Sequence, residues 1–284
     1  MYSNIKKKDI VIAILLGVLT IILQLYSKDY FDDKPNNVAK VTSDFGSIWI
    51  FDEDDSRCMS FLEPPTPIVQ SCMNKSNHKI ILYNYAKLFT STLFFVDNPR
   101  KILVIGLGGA SIQRALNTLL PNTQIDSVEI NDKIPSLVEK YFDYKENYLN
   151  KIYIADGAEF AKNVSQETYD IILIDAFSAD YIPPQMLTDE FMQNVKKMLT
   201  KNGVVAINTF ANTKFSNIET DLFKNNFDNH YNLIVDSSKV MIAGKNPLPT
   251  FDQIKDSANL WRFRFVEIGV NQYVLLNLFK NLAH

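Results

Sequence analysis

Apolar positions in this 284-residue chain follow three rhythms, and each predicts a different kind of structure. The first is a solid block. Positions 10–27 (IVIAILLGVLTIILQLYS) carry no formal charge, with Lys6-Lys7-Lys8 before them and Lys28-Asp29 after. A bilayer span takes about 20 apolar residues, and apolar surface on every side rather than in one stripe argues against a helix packed on a soluble core. Residues 1–28 are therefore expected to be a single-pass N-terminal membrane anchor, of the kind a bacterial inner membrane holds. A cleaved leader would share the basic start, but Gln24-Leu25-Tyr26 makes a poor small-residue cleavage site. The three lysines favour a cytoplasmic amino terminus with the body on the far side. Residues 29–43, polar and interrupted by Pro35-Asn36-Asn37, read as a tether.

The second rhythm has period two. Between residues 44 and 97, Ser47 to Phe51, Cys58 to Leu62 and Ile68 to Gln70 are short apolar pieces separated by Asp52 to Asp55 and by Pro64, Pro65 and Pro67. That pattern predicts a small antiparallel β region, and Ile80 to Phe95, rich in aromatic and aliphatic residues, predicts a buried helix closed by Asn98-Pro99.

The third rhythm alternates. Apolar runs at 101–105, 124–130, 152–155, 169–174 and 203–208 are separated by helical stretches, with a closing pair expected at 232–235 and 240–243. Strands alternating with helices dictate an α/β domain over residues 98–250, with a mostly parallel, doubly wound sheet and right-handed crossovers. Residues 251–284 are expected to be a helical packing tail, in which Trp261 to Phe265 and Val274 to Phe279 form a packing or homodimer surface.

Composition narrows the function. Lys+Arg 29 against Asp+Glu 32 gives a net charge of -3, so no basic field exists for nucleic acid. Two cysteines and three histidines make a structural zinc site improbable, and no metal is expected. Cys58 and Cys72 read as small packing residues, although a body outside the cytoplasm would permit a bridge.

In open parallel sheets, ligands bind beyond the carboxyl ends of the strands. Here those ends deliver Gly106, Gly108 and Gly109, then Glu129, then Asp156, then Asp175 with Asp180 in the following loop. Each acid alone is as readily a helix cap, but on successive loops of one sheet edge they outline an acidic cleft. The glycines permit close approach of a ligand to backbone. Ser111 stands where a dinucleotide fingerprint would place its third glycine, which disfavours a pyrophosphate cofactor. Glu129 is placed to accept two ribose hydroxyls, and Asp156 with Gly157 and Ala158 to hold an adenine amino group. A third-strand contribution to the nucleoside favours an S-adenosyl sulfonium compound over a nicotinamide.

These segments together resemble the spermidine synthase (polyamine aminopropyltransferase) family, in a divergent bacterial branch. The resemblance runs from about Ser43 to Pro247 and is carried by Ile105 to Gly109, Val128 to Ile130, Asp156 to Phe160, Tyr169 to Asp175 and Asn202 to Val205. It implies a Rossmann-like, class I methyltransferase-type fold behind a small N-terminal β domain. It further implies that Gln70 and Tyr85 face the substrate, that Asp175 is the base, and that Asp180 binds a polyamine. The implied reaction moves an aminopropyl group from decarboxylated S-adenosylmethionine to an amine such as putrescine. Two departures stand out: Gly109 replaces the aspartate of the family's Gly-Gly-Gly-Asp-Gly loop, and the second acid after Asp175 is displaced to Asp180. The first admits methyl transfer from S-adenosylmethionine as an alternative. The altered loop and the anchor admit a non-catalytic, membrane-attached nucleoside- or polyamine-binding module.

Overall fold

The computed structural model describes residues 36–66, 68–177, 182–211, 213 and 216–280. The expected anchor at residues 1–28 and Asp180 lie outside them. Among the described residues no helix is long and apolar enough to cross a membrane.

Four antiparallel strands come first, β1 (Asn36–Ser43), β2 (Gly46–Glu53), β3 (Ser56–Ser60) and β4 (Ser71–Asn74), paired in that order. Helix α1 (Asn84–Thr90) leads into β5 (Lys101–Ile105), α2 (Ser111–Leu119), β6 (Gln124–Glu129), α3 (Ile134–Tyr141), β7 (Asn150–Ile154), α4 (Gly157–Asn163) and β8 (Tyr169–Ile174). Next come α5 (Asp189–Met198), β9 (Leu199–Phe210), α6 (Ser216–Asn226), β10 (His230–Val235) and β11 (Ser238–Gly244), then α7 (Phe251–Leu260), α8 (Arg262–Glu267) and α9 (Gln272–Lys280). The large sheet has the order β10-β11-β9-β8-β5-β6-β7. Strands β5 to β9 are parallel, while β10 and β11 close the edge antiparallel, so the sheet is mixed.

Period-two alternation inside these apolar runs builds a core on each face of the sheet. Ile102, Val104, Ile171 and Leu173 point to one side, where α1, α2 and the C-terminal helices bury Phe89, Leu116, Trp261, Phe265 and Phe279. Leu103, Ile105, Ile172 and Ile174 point to the other, under α4, α5 and α6. A third cluster joins the small sheet to the large domain through Ile48, Ile50, Met59 and Met73, which pack on Leu107, Val138 and Phe142. The small sheet is thereby seated over the loop that follows β5.

Three expectations are corrected. Residues 36–43, read as part of the tether, are strand β1, because Val38, Ala39 and Val41 pack on the third cluster. The single helix expected from Ile80 to Phe95 begins only at Asn84, since the Ile81 N–H is taken by the Ile268 carbonyl. Past Thr90 it tightens to a 3-10 turn, Ser91–Phe94, where the hydroxyls of Thr90, Ser91 and Thr92 each donate to the carbonyl three residues back. Cys58 and Cys72 are cross-strand partners on β3 and β4 and form a disulfide, with Cα atoms 4.1 Å apart, rather than packing as free thiols. Within the tail, Trp261 and Phe265 are core, but Phe263 between them is 80% exposed.

Candidate active site

The order of the large sheet reverses between β5 and β8, where the crossovers leave in opposite directions and a crevice must open. A cavity of about 380 Å³ lies there. Its floor depends on one glycine. Gly106 has φ +105°, and a Cβ on it would sit 2.2 Å from the Asp175 carbonyl oxygen. Its N–H donates to Val128 O (2.8 Å), while Asp175 N–H donates to Ile105 O (2.8 Å), so the ends of β5, β6 and β8 are locked together. No other residue type fits this position without forcing them apart.

Glu129, at the end of β6, accepts from Leu107 N–H (3.1 Å) through one oxygen and from Asn131 N–H (2.9 Å) through the other. These bonds hold the glycine loop and the β6 loop at a fixed separation around the carboxylate. Burial pushes its pKa above the usual range, opposed by the backbone donors. The carboxylate lines the cavity, where it can meet vicinal hydroxyls.

Asp175 follows β8. Asn208, at the end of β9, donates to it through Nδ2 (2.9 Å), and the Tyr85 hydroxyl from α1 is a second donor. Burial pushes Asp175 up to about 6, against the lowering effect of those two bonds. Burial and the neighbouring Asp175 charge hold Tyr85 well above the ordinary phenol range, so it remains a proton donor. A carboxylate held by two donors, with a pKa lifted towards neutrality and an open face on a cavity, is suited to take a proton from an amine.

Asp156 serves two purposes. One oxygen caps α4 by accepting from Ala158 N–H (2.8 Å) and Glu159 N–H (3.1 Å), and the other accepts from Gln185 Nε2 (3.0 Å) while lining the cavity. Desolvation raises its pKa, but the bonds from Gln185 and the helix amides outweigh that and leave it below the usual value. Gly157 also lines the cavity, pressed against Ile105 and Met186.

The opposite wall comes from the small sheet. Gln70 and Ser71 line it with Gly108 and Ser111, and the Ser71 and Ser111 hydroxyls lie 3.1 Å apart. The disulfide stands behind. Tyr83 donates its hydroxyl to Cys72 Sγ (3.2 Å) and stacks on Tyr85, with ring centroids 6.1 Å apart. A chain of contacts thus links the bridge to Asp175.

Of the residues singled out by sequence, Gln70, Tyr85, Gly106, Gly108, Glu129, Asp156, Gly157 and Asp175 share this cavity. Gly109 does not line it, because its Cα faces Ser71 and Phe142, and Ala158 is turned inward with its N–H consumed by Asp156. Asn208, Ser71 and Gln185 also line the cavity without being singled out by the sequence, as does Ser111, which the sequence marks only as a missing glycine. Asn208 is within reach of the strand-end rule, as the last polar residue of an apolar run; Ser71 lies on the small sheet, Ser111 opens α2 and Gln185 lies in the turn before α5, where no pattern points inward. Among the described residues no group of three or more His, Cys, Asp or Glu is arranged for a metal ion.

Comparison with known proteins identifies the family and the fold. Residues 84–243 match the family model described as the spermine/spermidine synthase domain. A polyamine aminopropyltransferase of Vibrio vulnificus is 30% identical over 220 residues, covering 75% of this chain and 74% of that protein. A probable spermidine synthase from Corynebacterium glutamicum superposes with a TM-score of 0.68 at 15% identity, over 84% of this chain and 91% of the other. Human methyltransferase-like protein 13, solved in complex with SAH, superposes with a TM-score of 0.60 at 21% identity, over 64% and 92%. The likeness to these structures establishes a Rossmann-like, methyltransferase-type fold.

Proposed function

The chain belongs to the spermine/spermidine synthase family, and from that membership we propose that it is a transferase moving an aminopropyl group from decarboxylated S-adenosylmethionine to a polyamine such as putrescine. The observation that carries the assignment to this cavity is Asp175: a carboxyl lifted to about 6, held by Tyr85 and Asn208 at the junction of β5 and β8. The acceptor amine is an ammonium at neutral pH, with an ordinary pKa near about 10, and must lose a proton before it attacks. Asp175 takes that proton. Tyr85 and Asn208 orient the carboxylate, so that no reorganisation is needed when the proton arrives.

Glu129 accepts the ribose hydroxyls, Asp156 faces the adenine amino group, and Gly106 and Gly108 let the nucleoside lie against main chain. Attack at the methylene next to sulfur converts a cationic sulfonium into a neutral thioether and leaves positive charge on the acceptor nitrogen, which the acidic side of the cavity stabilises. Asp180, outside the described residues, completes the reading as the partner of a distal polyamine ammonium. The test is release of methylthioadenosine from decarboxylated S-adenosylmethionine and putrescine. Asp175→Asn is expected to slow it by about 10²–10⁴-fold. An undiminished rate removes the base, and S-adenosylhomocysteine formed from S-adenosylmethionine indicates methyl transfer instead.

The proposal includes attachment to a membrane through residues 10–27, with the body on the non-cytoplasmic side. The lysines before the apolar block support it, as does the Cys58–Cys72 bridge, because such bridges persist in oxidising compartments. A reporter fused after His284 is expected to be active outside the cytoplasm; activity inside overturns the orientation. A homodimer through the C-terminal helices is supported by the exposure of Leu260, Phe263 and Val266, and sedimentation of the purified chain reads it.

A further inference from the structure

Among the described residues the carboxylates that line the cavity are confined to one side. Glu129, Asp156 and Asp175 follow β6, β7 and β8, whereas the facing wall of Gln70, Ser71, Gly108 and Ser111 contains no acid. Space keeps it so. A Cβ on Gly109 would lie 2.8 Å from Ser71 Oγ, 3.0 Å from Ser71 Cβ and 3.2 Å from Phe142 Cδ1, so Ser71 and the fully buried Phe142 occupy the volume an acidic side chain would need.

Behind this wall the charge is positive. Arg114 is 7% exposed, and its guanidinium donates to the carbonyls of Gly109, Phe142 (2.8 Å) and His78 (3.3 Å) and to Ser111 Oγ (3.4 Å). All of these partners are neutral. Asp143, the acid whose charge acts on Arg114, makes its own 2.8 Å pair with His78. Burial lowers Arg114 to about 10, which leaves it cationic at neutral pH. A buried guanidinium surrounded by neutral acceptors gains from an anion placed near it in a site of low dielectric. The Ser111 hydroxyl, on the cavity side of it, donates to the Cys72 carbonyl (3.1 Å), which leaves the Ser71 hydroxyl, 3.1 Å from Ser111 Oγ, as the one that can turn its proton towards the cavity. The cavity is therefore bipolar, acidic along the strand ends and receptive to an anion at the Ser71–Ser111 wall.

Building on the aminopropyl-transfer reading of the same site, we propose that the cavity also accepts S-adenosylmethionine with its α-carboxylate intact, seats that carboxylate against Ser71 and Ser111 in front of Arg114, and transfers the 3-amino-3-carboxypropyl group to the amine acceptor. The acceptor nitrogen forms a bond to the methylene carbon attached to sulfur. The carbon–sulfur bond breaks with its electron pair passing to sulfur, methylthioadenosine leaves, and the proton released from nitrogen goes to Asp175. The sum is a substitution and needs no oxidant, reductant or further reactant.

The experiment supplies the purified full chain with putrescine and either donor and separates products by mass spectrometry. The expected result is methylthioadenosine from both donors, with an adduct from S-adenosylmethionine that is heavier by one carboxyl group. Methylthioadenosine from the decarboxylated donor alone overturns this inference and leaves the aminopropyl reading intact. Turnover of neither donor overturns both. Ser71→Asp places an acid on the receptive wall and is expected to lower the ratio of kcat/KM for the carboxylated over the decarboxylated donor by about tenfold or more, with Ser71→Ala lowering it by less. Because the readout is a ratio measured on one preparation, partial loss of folded protein does not move it. An unchanged ratio in both variants overturns the seat assigned to the carboxylate.

Discussion

The two walls of the cavity are built by opposite strategies. On the strand-end wall every acid is fixed by the main chain of a buried parallel sheet: Glu129 by two backbone amides, Asp156 by the first turn of α4, Asp175 by its position one residue past β8. On the small-sheet wall the lining residues sit on or beside a four-residue strand, β4, held by a covalent bridge to β3 and by hydroxyl contacts to α2. The first wall gets its precision from the core of the domain. The second wall needs a staple, because a short strand at the edge of a small sheet buries too little apolar surface to fix itself. Charge follows the same division, since acids crowd the rigid wall and neutral hydroxyls line the stapled one.

Breaking the rigid wall is expected to have the largest effects. Besides slowing turnover by about 10²–10⁴-fold, Asp175→Asn should stabilise the fold at pH 8. The folded-state pKa of Asp175 is raised from 3.8 to about 6, so its protonated form is the favoured one in the folded protein. Its contribution to stability is present below pH 3.8 and is lost as pH rises through 6, leaving a cost of about 3 kcal/mol that the amide removes. Denaturant titration of both proteins at pH 8 measures it, and equal midpoints refute it. Gly106→Ala comes next. Positive φ and a 2.2 Å contact with the Asp175 carbonyl together predict a loss of about 4 kcal/mol, seen as a lowered unfolding midpoint with turnover abolished.

The stapled wall should respond differently. Reducing Cys58–Cys72, which are 14 residues apart, is expected to cost about 3 kcal/mol, with KM for the donor rising more than kcat falls, because Gln70 and Ser71 are loosened while Asp175 stays in place. A kcat loss matching that of Asp175→Asn would erase the contrast between the walls. The smallest effect is expected of Tyr85→Phe. The base must be ionised, so kcat/KM should fall below about pH 6; removing a donor to the carboxylate raises its pKa, and the acidic limb should move up by about half to one pH unit. A limb that moves down or stays fixed contradicts the bond.

What the sequence makes legible divides along the same line. The runs at 101–105 and 169–174 coincide with β5 and β8, because strands buried on both faces are written as continuous apolar text that turn residues punctuate sharply. From those ends, Gly106, Glu129, Asp156 and Asp175 follow by position alone. Tyr85 entered only through the family resemblance. Ser71 is illegible, because what makes it a lining residue is the docking of one sheet over another, which leaves no periodic trace; Ser111 is legible only as a missing third glycine, and Gln185 lies in a short turn whose path the sequence does not pattern. The sequence leaves the bridge open between packing residues and a disulfide for a related reason: Cys58 and Cys72 are register partners only through the pairing of β3 with β4. Apolar content predicts a longer helix than α1, since it does not report that the Ile81 N–H is taken by the Ile268 carbonyl.

The family match begins at residue 84, after β4 has ended at Asn74. A fragment trimmed to that match would keep Tyr85, Glu129, Asp156 and Asp175, yet lack Gln70 and Ser71, as well as the C-terminal helices that bury Trp261, Phe265 and Phe279. Water would reach Asp175 from the exposed side, its pKa would relax towards that of an ordinary aspartate, and the acids would remain as a half-mould. Recognising this protein's relatives by the family model and reproducing its catalysis with the matched stretch are different tasks, and the wall residues that separate them, Gln70 and Ser71, lie ahead of that match.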